Sequence, residues 1–116
     1  MYCSDNKSNF SDNTKKQDSL AIFLDNAFDE NLSFDERYSN NAKALKIVEA
    51  LPNDSSNRKN YLRVAIRYFN LNKFDDFKRT AEKVKNLSSE VKDTINSARA
   101  NAFLGDYYKK ITKSDS

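Results

Sequence analysis

Similar residues recur in this chain at a separation of 40: Phe34 with Phe74, Ala44 with Val84, Ile47 with Leu87, Val64 with Leu104, and Tyr68 with Tyr108. A fixed period between about 20 and 50 residues marks stacked supersecondary units, none of which buries its apolar face alone. The stretch from Arg58 to Leu87 is the centre of the pattern and reads as a helix-turn-helix. Any recognition surface must therefore be built by stacking such units.

Glycine and proline occur once each. That scarcity argues against a β-rich fold full of tight turns and favours helices joined by short polar connections. The 116 residues, 38% of them apolar and 12% aromatic, suffice for one domain with a modest core. Basic and acidic side chains number 20 and 17, a net charge of +3. Because the signs are interleaved, no clustered positive patch suited to phosphate is expected and nucleic acid is not expected as a partner. Histidine is absent and cysteine occurs once, which excludes Cys/His zinc sites, Cys/His nucleophile pairs, Ser/His/Asp triads and an intrachain disulfide. One glycine cannot make a phosphate-cradling loop or a dinucleotide fingerprint. The chain is therefore expected to be noncatalytic and to carry no cofactor or metal. No apolar run approaches the roughly 20 residues that cross a bilayer.

Residues 1–13 are polar and aperiodic and are expected to form a disordered leader. Cys3, followed by an acidic, serine-rich stretch, resembles the mature start of a bacterial lipoprotein; the plainer reading is an ordinary free thiol. A first helix is expected from about Gln17 to Asp29, with Thr14 and Gln17 spaced as a capping box and Leu20, Leu24, Ala27 and Phe28 facing inward. Ser33 and Glu36 repeat the box before a second helix, Phe34 to about Ala50, with Tyr38, Ala42, Leu45, Val48, Ala44 and Ile47 on its buried side. Pro52 ends it. The connector Asn53-Asp54-Ser55-Ser56 supplies a cap for a third helix running to about Asn70 and burying Tyr61, Val64, Ala65 and Tyr68. After the turn at Leu71-Asn72-Lys73 comes a fourth helix, Phe74 to about Leu87, with Phe77, Ala81 and Val84 inward and Ser88-Ser89 breaking it. A fifth starts between Glu90 and Thr94 and ends near Ile111, so residues 112–116 form a frayed tail. Two helix pairs are followed by a lone first helix whose partner is missing.

The run Asn101-Ala102-Phe103-Leu104-Gly105-Asp106-Tyr107-Tyr108 carries the Leu-Gly-x-x-Tyr core of the tetratricopeptide (TPR) repeat, with Asn101 where that family prefers tryptophan. Val64-Ala65-x-x-Tyr68 is a conservative version. Asn72-Lys73-Phe74 followed by Phe77, Ala81 and Val84 resembles the TPR turn and second helix. Leu24, Asp25 and Phe28 take the same places in the first unit, with Asp25 where a small residue is usual. The resemblance spans most of residues 18–111 and implies an all-α, TPR-like α-α superhelix of about two and a half helix-turn-helix repeats over residues 14–111. The separation of 40 exceeds the usual TPR length and implies longer second helices, or longer loops at Pro52 and Ser88. Small residues at Ala65 and Gly105 would permit close helix approach. The pattern is also similar to the extracytoplasmic TPR regions that precede the membrane span in bacterial two-component sensor kinases, a likeness carried by Asp18-Ser19-Leu20, Arg67-Tyr68-Phe69-Asn70 and Leu104-Gly105-Asp106-Tyr107-Tyr108. That resemblance implies a sensing region, membrane-anchored in the full-length protein, whose kinase core lies outside this chain.

In TPR arrays the first helix of each pair lines a concave groove. Matching the repeat places Ile22, Phe23 and Asn26 there from the first unit, Lys59, Leu62, Arg63 and Ile66 from the second, and Arg99, Phe103 and Asp106 from the third. Lys59 and Arg63, one helical turn apart, could clamp a peptide carboxylate, as the Lys/Arg pair of chaperone-binding TPR domains does; Asn26 matches one of that clamp's asparagines, but Ile22 stands in place of its other lysine and no second asparagine matches, so the clamp is incomplete. The plainer reading is a solvated helix face. Phe23, Phe69 and Phe103 could equally be core. Asp35-Glu36 and Asp75-Asp76 fit helix first turns, where carboxylates favour the positive end of the dipole, better than a metal site. The expected function is protein or peptide binding, in a signalling protein or as a standalone adaptor. Ala102 and Tyr108 on the uncapped last helix are expected to favour self-association.

Overall fold

The computed structural model describes the backbone of residues 2–115 and the side chains of residues 13–113. It is all-α, with five helices and no strand among the described residues. The chain divides into two compact units, Met1–Pro52 and Asn53–Ser116.

The first unit is a hairpin of α1 (Tyr2–Phe28) packed on α2 (Phe34–Ala50). Leu20, Leu24 and Ala27 of α1 are buried as their spacing requires, with Asn41, Ala44 and Val48 of α2. Phe28, expected on the inward face, is exposed, and Tyr38, Ala42, Leu45 and Ile47 are only half-buried. Polar groups close the hairpin. Asn31 N–H donates to Asp29 Oδ1 at 2.9 Å, and the Ser33/Glu36 capping box forms, Glu36 N–H donating to Ser33 Oγ at 3.1 Å. Arg37 Nε donates to the Ala27 carbonyl at 3.1 Å, tying α2 to the end of α1. Leu51 is extended, as the residue before a proline must be, and ends α2 where expected.

Two expectations for this unit are corrected. The disordered leader over residues 1–13 and the Thr14/Gln17 capping box both give way to a helix that begins at Tyr2 and leaves Thr14 in its interior. Neither glycine nor proline occurs before Pro52, so no breaker interrupts a helix there. Cys3, and with it the lipoprotein reading, lies outside the described side chains.

The second unit comprises α3 (Ser55–Asn70), α4 (Phe74–Glu90) and α5 (Thr94–Asp115). Helix α4 packs against both α3 and α5, which touch each other less extensively. Tyr61, Val64, Ala65 and Tyr68 of α3, Phe77, Ala81 and Val84 of α4, and Ala100 and Tyr107 of α5 are buried. The alanines let the axes approach closely. Asp54 caps α3, accepting from Asn57 N–H at 2.8 Å. Helices α2 and α4 have equal length and begin 40 residues apart, so the recurrence coincides with the helix boundaries. Helix α4 runs past Ser88-Ser89, because Ser88 is fully buried inside it rather than breaking it, and α5 continues through the expected tail to Asp115.

Both interhelix turns use a residue in the left-handed region, Asn72 (φ 60°) and Lys92 (φ 58°). After each, the next N–H closes back on the helix: Lys73 to the Tyr68 carbonyl at 2.9 Å, Asp93 to the Ser88 carbonyl at 2.8 Å. This is the Schellman arrangement. Asparagine tolerates it; lysine, with an ordinary Cβ, is strained there.

The corresponding position of α5 differs from that of α3. Val64 and Tyr68 are buried, whereas their counterparts at +40 are not: Leu104 is half-buried and Tyr108 is 53% exposed. Gly105, expected to serve close packing, has nothing within 4 Å of where a Cβ would stand. Among the described residues only α4 and, less extensively, α3 pack on α5.

Lys92→Gly is expected to raise stability by about 1 kcal/mol by relieving the left-handed lysine. It should appear as a higher urea midpoint at unchanged slope; a lower midpoint would show no strain to relieve. Phe77→Ala is expected to cost about 3 to 5 kcal/mol. Hydrogen exchange should then show loss of protection in α3, α4 and α5 together, and loss confined to α4 would contradict its central place.

Candidate functional site

Helix α3 presents one exposed stripe. Lys59, Arg63 and Ile66 follow one another at helical spacing on the side opposite Tyr61, Ala65 and Tyr68, and all three are exposed. Among the described residues neither cation is in an ion pair; the Arg63 guanidinium donates only to Asn60 Oδ1, at 2.8 Å, one turn back. Two cations one turn apart beside an exposed isoleucine can accept a carboxylate flanked by an apolar side chain.

Leu62, expected on this surface, is corrected: it is 5% exposed. It falls between Arg58 and Ala65 on the inward face of α3, both also buried. Phe103 is likewise committed to packing. Its ring stacks on Phe77 with centroids 5.5 Å apart, and Phe77 meets Phe69 edge-on at 4.9 Å. Phe69 meets Phe74 at 5.3 Å, and the Lys110 ammonium lies 5.7 Å from the Phe69 ring and 5.8 Å from the Phe74 ring. This aromatic cluster joins α3, α4 and α5, so Phe69 and Phe103 are structural. Arg99 and Asp106 are exposed on α5, two turns apart on one side.

In the first unit, Ile22 is exposed, and Phe23 is half-buried with the Lys43 ammonium 5.7 Å from its ring centre. Asn26 Nδ2 donates to Asn40 Oδ1 at 3.1 Å, so its amide nitrogen serves the α1–α2 hairpin. Asp35-Glu36 and Asp75-Asp76 stand in the first turns of α2 and α4, and Asp76 pairs with Arg79. No group of acidic or cysteine side chains suited to a metal occurs among the described residues, and no helix there is long and apolar enough to cross a membrane.

The most organised polar group in the second unit was not singled out in the sequence. Asp93 precedes α5 and accepts from Asn96 N–H (3.2 Å) at one oxygen. At the other it accepts from Asn96 Nδ2 (2.7 Å) and Arg58 Nε (2.8 Å). Arg58 Nη1 donates in turn to Asn53 Oδ1 at 2.8 Å, and Asn96 Nδ2 reaches the Ser55 carbonyl at 3.4 Å. Arg58 is buried, and the group pins the start of α5 to the start of α3. Asp-x-x-Asn is an N-cap spacing visible in the sequence, both at Asp54-Asn57 and at Asp93-Asn96. The pairing of Arg58 with Asp93 across 35 positions is not. The Arg58 hydrogen bond, then those from Asn96, lower the Asp93 pKa from 3.8 to about 2.

Comparison of the chain with protein-family models, with curated proteins and with solved structures finds no match.

Because the folded-state pKa of Asp93 lies below its ordinary value, its contribution to stability is complete above pH 3.8 and is lost as the pH falls through about 2. Urea midpoints measured across that window should fall with pH, and Asp93→Asn should flatten the fall. An Asp93→Asn profile parallel to the wild type would show that this carboxylate does not contribute.

Proposed function

We propose that this chain is a noncatalytic, TPR-like protein-interaction module that takes a peptide segment along the exposed stripe of α3. The observation that carries the reading is the juxtaposition of Lys59, Arg63 and Ile66 on one face, with both cations outside any ion pair among the described residues. A helix face that serves only solvation gains nothing from an exposed isoleucine next to two cations. A peptide ending in a carboxylate next to an apolar side chain uses all three. Arg99 and Asp106 on α5 extend the polar surface of the same unit and would favour a ligand carrying both signs of charge.

A place in a bacterial signal-transduction protein, such as the sensing region of a histidine kinase, rests on the resemblance of Arg67-Tyr68-Phe69-Asn70 and Leu104-Gly105-Asp106-Tyr107-Tyr108 to such regions. A standalone adaptor would use the same surface.

Selection from a peptide library with free C-termini, followed by fluorescence anisotropy, tests the reading. Selected peptides are expected to end in an apolar residue with a free carboxylate. Amidating that terminus, or Lys59→Ala with Arg63→Ala, is expected to weaken binding at least tenfold, since a charge-assisted hydrogen bond contributes about 1.5 to 3 kcal/mol. Peptides that bind equally well when amidated, or equally well to the double variant, would remove the carboxylate clamp.

A further inference from the structure

Arg99 and Asp106 of α5 share a face with the α3 stripe, and two contacts fix their level along it. Arg58 Nε donates to Asp93 Oδ2 at 2.8 Å where both helices begin, and the Lys110 ammonium lies 5.7 Å from the Phe69 ring toward their ends. Helices α3 and α5 therefore run parallel. These pairs are 35 and 41 positions apart, so Arg99 stands level with the turn from Lys59 to Arg63, and Asp106 with the last turns of α3, from about Ile66 on.

The two helices open on one side. On α5, Phe103 and Lys110 reach the aromatic cluster, and Asn101 and Leu104 border α4 at Glu82. Arg99 and Asp106 lie one turn before Phe103 and Lys110 respectively, rotated about 40° away from the Asn101 and Leu104 edge. On α3, Ile66 lies one turn after the buried Leu62, and Lys59 one residue after the buried Arg58, both rotated away from Tyr61 and Tyr68. Because α4 packs against both helices, these edges form one exposed face on the other side of the α3–α5 pair. Charge is ordered along it. Lys59, Arg63 and Arg99 stand at one level and Asp106 further on, and none of the four belongs to an ion pair among the described residues.

We propose that this face selects a peptide that carries a lysine or arginine three residues before its C-terminal apolar residue, with Asp106 reading that side chain. The inference rests on the carboxylate reading of the α3 stripe. Asp106 stands seven residues beyond Arg99, a rise of about 10 Å along α5. An extended peptide covers that distance in about three residues, at about 3.3 Å each. With its carboxylate at Lys59, Arg63 and Arg99 and its last side chain on Ile66, the ligand brings the residue three before its end level with Asp106. A basic side chain there meets a carboxylate, and an acidic one meets like charge. The reverse direction fails, since it sets the peptide carboxylate at Asp106 and the basic residue at the three cations.

Fluorescence anisotropy of the full chain in low-salt buffer tests this, comparing a labelled peptide that ends Lys-Ala-Ala-Leu with a free carboxylate against its Glu-Ala-Ala-Leu counterpart. The lysine peptide is expected to bind about two- to fivefold more tightly, the range of an exposed ion pair, and the preference should shrink as salt rises. Asp106→Lys is expected to reverse it, so that the glutamate peptide binds better. Glu90→Lys, the same charge change at an exposed position of α4, should leave it in place. Equal binding of the two peptides by the wild type, or a lysine preference that survives Asp106→Lys, overturns the proposal. Amidated peptides separate the two readings: loss of binding on amidation with no response to Asp106→Lys removes the Asp106 contact alone, and indifference to amidation removes the carboxylate clamp on which it rests.

Discussion

Helix α4 has to satisfy two neighbours at once, and the geometry of the second unit follows from how it does so. Its one large buried ring, Phe77, meets Phe69 of α3 on one side and Phe103 of α5 on the other. Ala81 and Val84, a turn and two turns on, are fully buried and leave no room for either neighbour to stand off. A helix gripped on two faces cannot shift toward one partner without opening a void against the other. That is why the polar devices at the helix ends are so definite. The left-handed residues Asn72 and Lys92 reverse the chain within a few residues, and the Arg58–Asp93 pair fixes where α5 begins.

Much of this arrangement is legible in the sequence. The 40-residue recurrence coincides with the boundaries of α2 and α4 because both begin at a phenylalanine followed by acidic residues, where helix propensity and dipole agree. The buried set of α3 was readable because its apolar residues keep a strict helical period against a charged opposite face. The first helix was harder. Its polar stretch before Asn13 has no apolar period to announce a helix, yet it has no residue that forbids one, and continuing an existing helix costs far less than starting a new one. The serine pair after Leu87 differs for a related reason: serine favours caps and turns in general, but Ser88 lies fully buried inside α4 and its carbonyl accepts from Asp93 N–H in the turn that follows.

The candidate site was legible only in part. Lys59, Arg63 and Ile66 can be placed on one face by counting alone, and they are exposed there. Leu62 shows where counting fails. It is adjacent to the exposed arginine in sequence, but a rotation of about 100° per residue turns it inward beside Arg58 and Ala65. Phe103 fails differently, because no local pattern tells a ring reaching for a ligand from one reaching for Phe77. Asp93 was invisible as a partner of Arg58, since a pair separated by 35 positions is specified by the packing of three helices rather than by any motif.

The outer stripe of α3 and the uncovered side of α5 are unlike surfaces, and their difference has a physical origin. The outer stripe of α3 carries the exposed cations Lys59 and Arg63, which stay solvated on the side opposite its buried residues. The corresponding free side of α5 keeps Leu104 and Tyr108, the same residue classes that α3 buries as Val64 and Tyr68. Apolar side chains held in a register that α3 uses for packing have the composition of an interface, not of a solvated face. Gly105 sharpens the distinction. A helix gains stability from alanine in place of glycine, and the open space around Gly105 means that no described neighbour requires the missing Cβ.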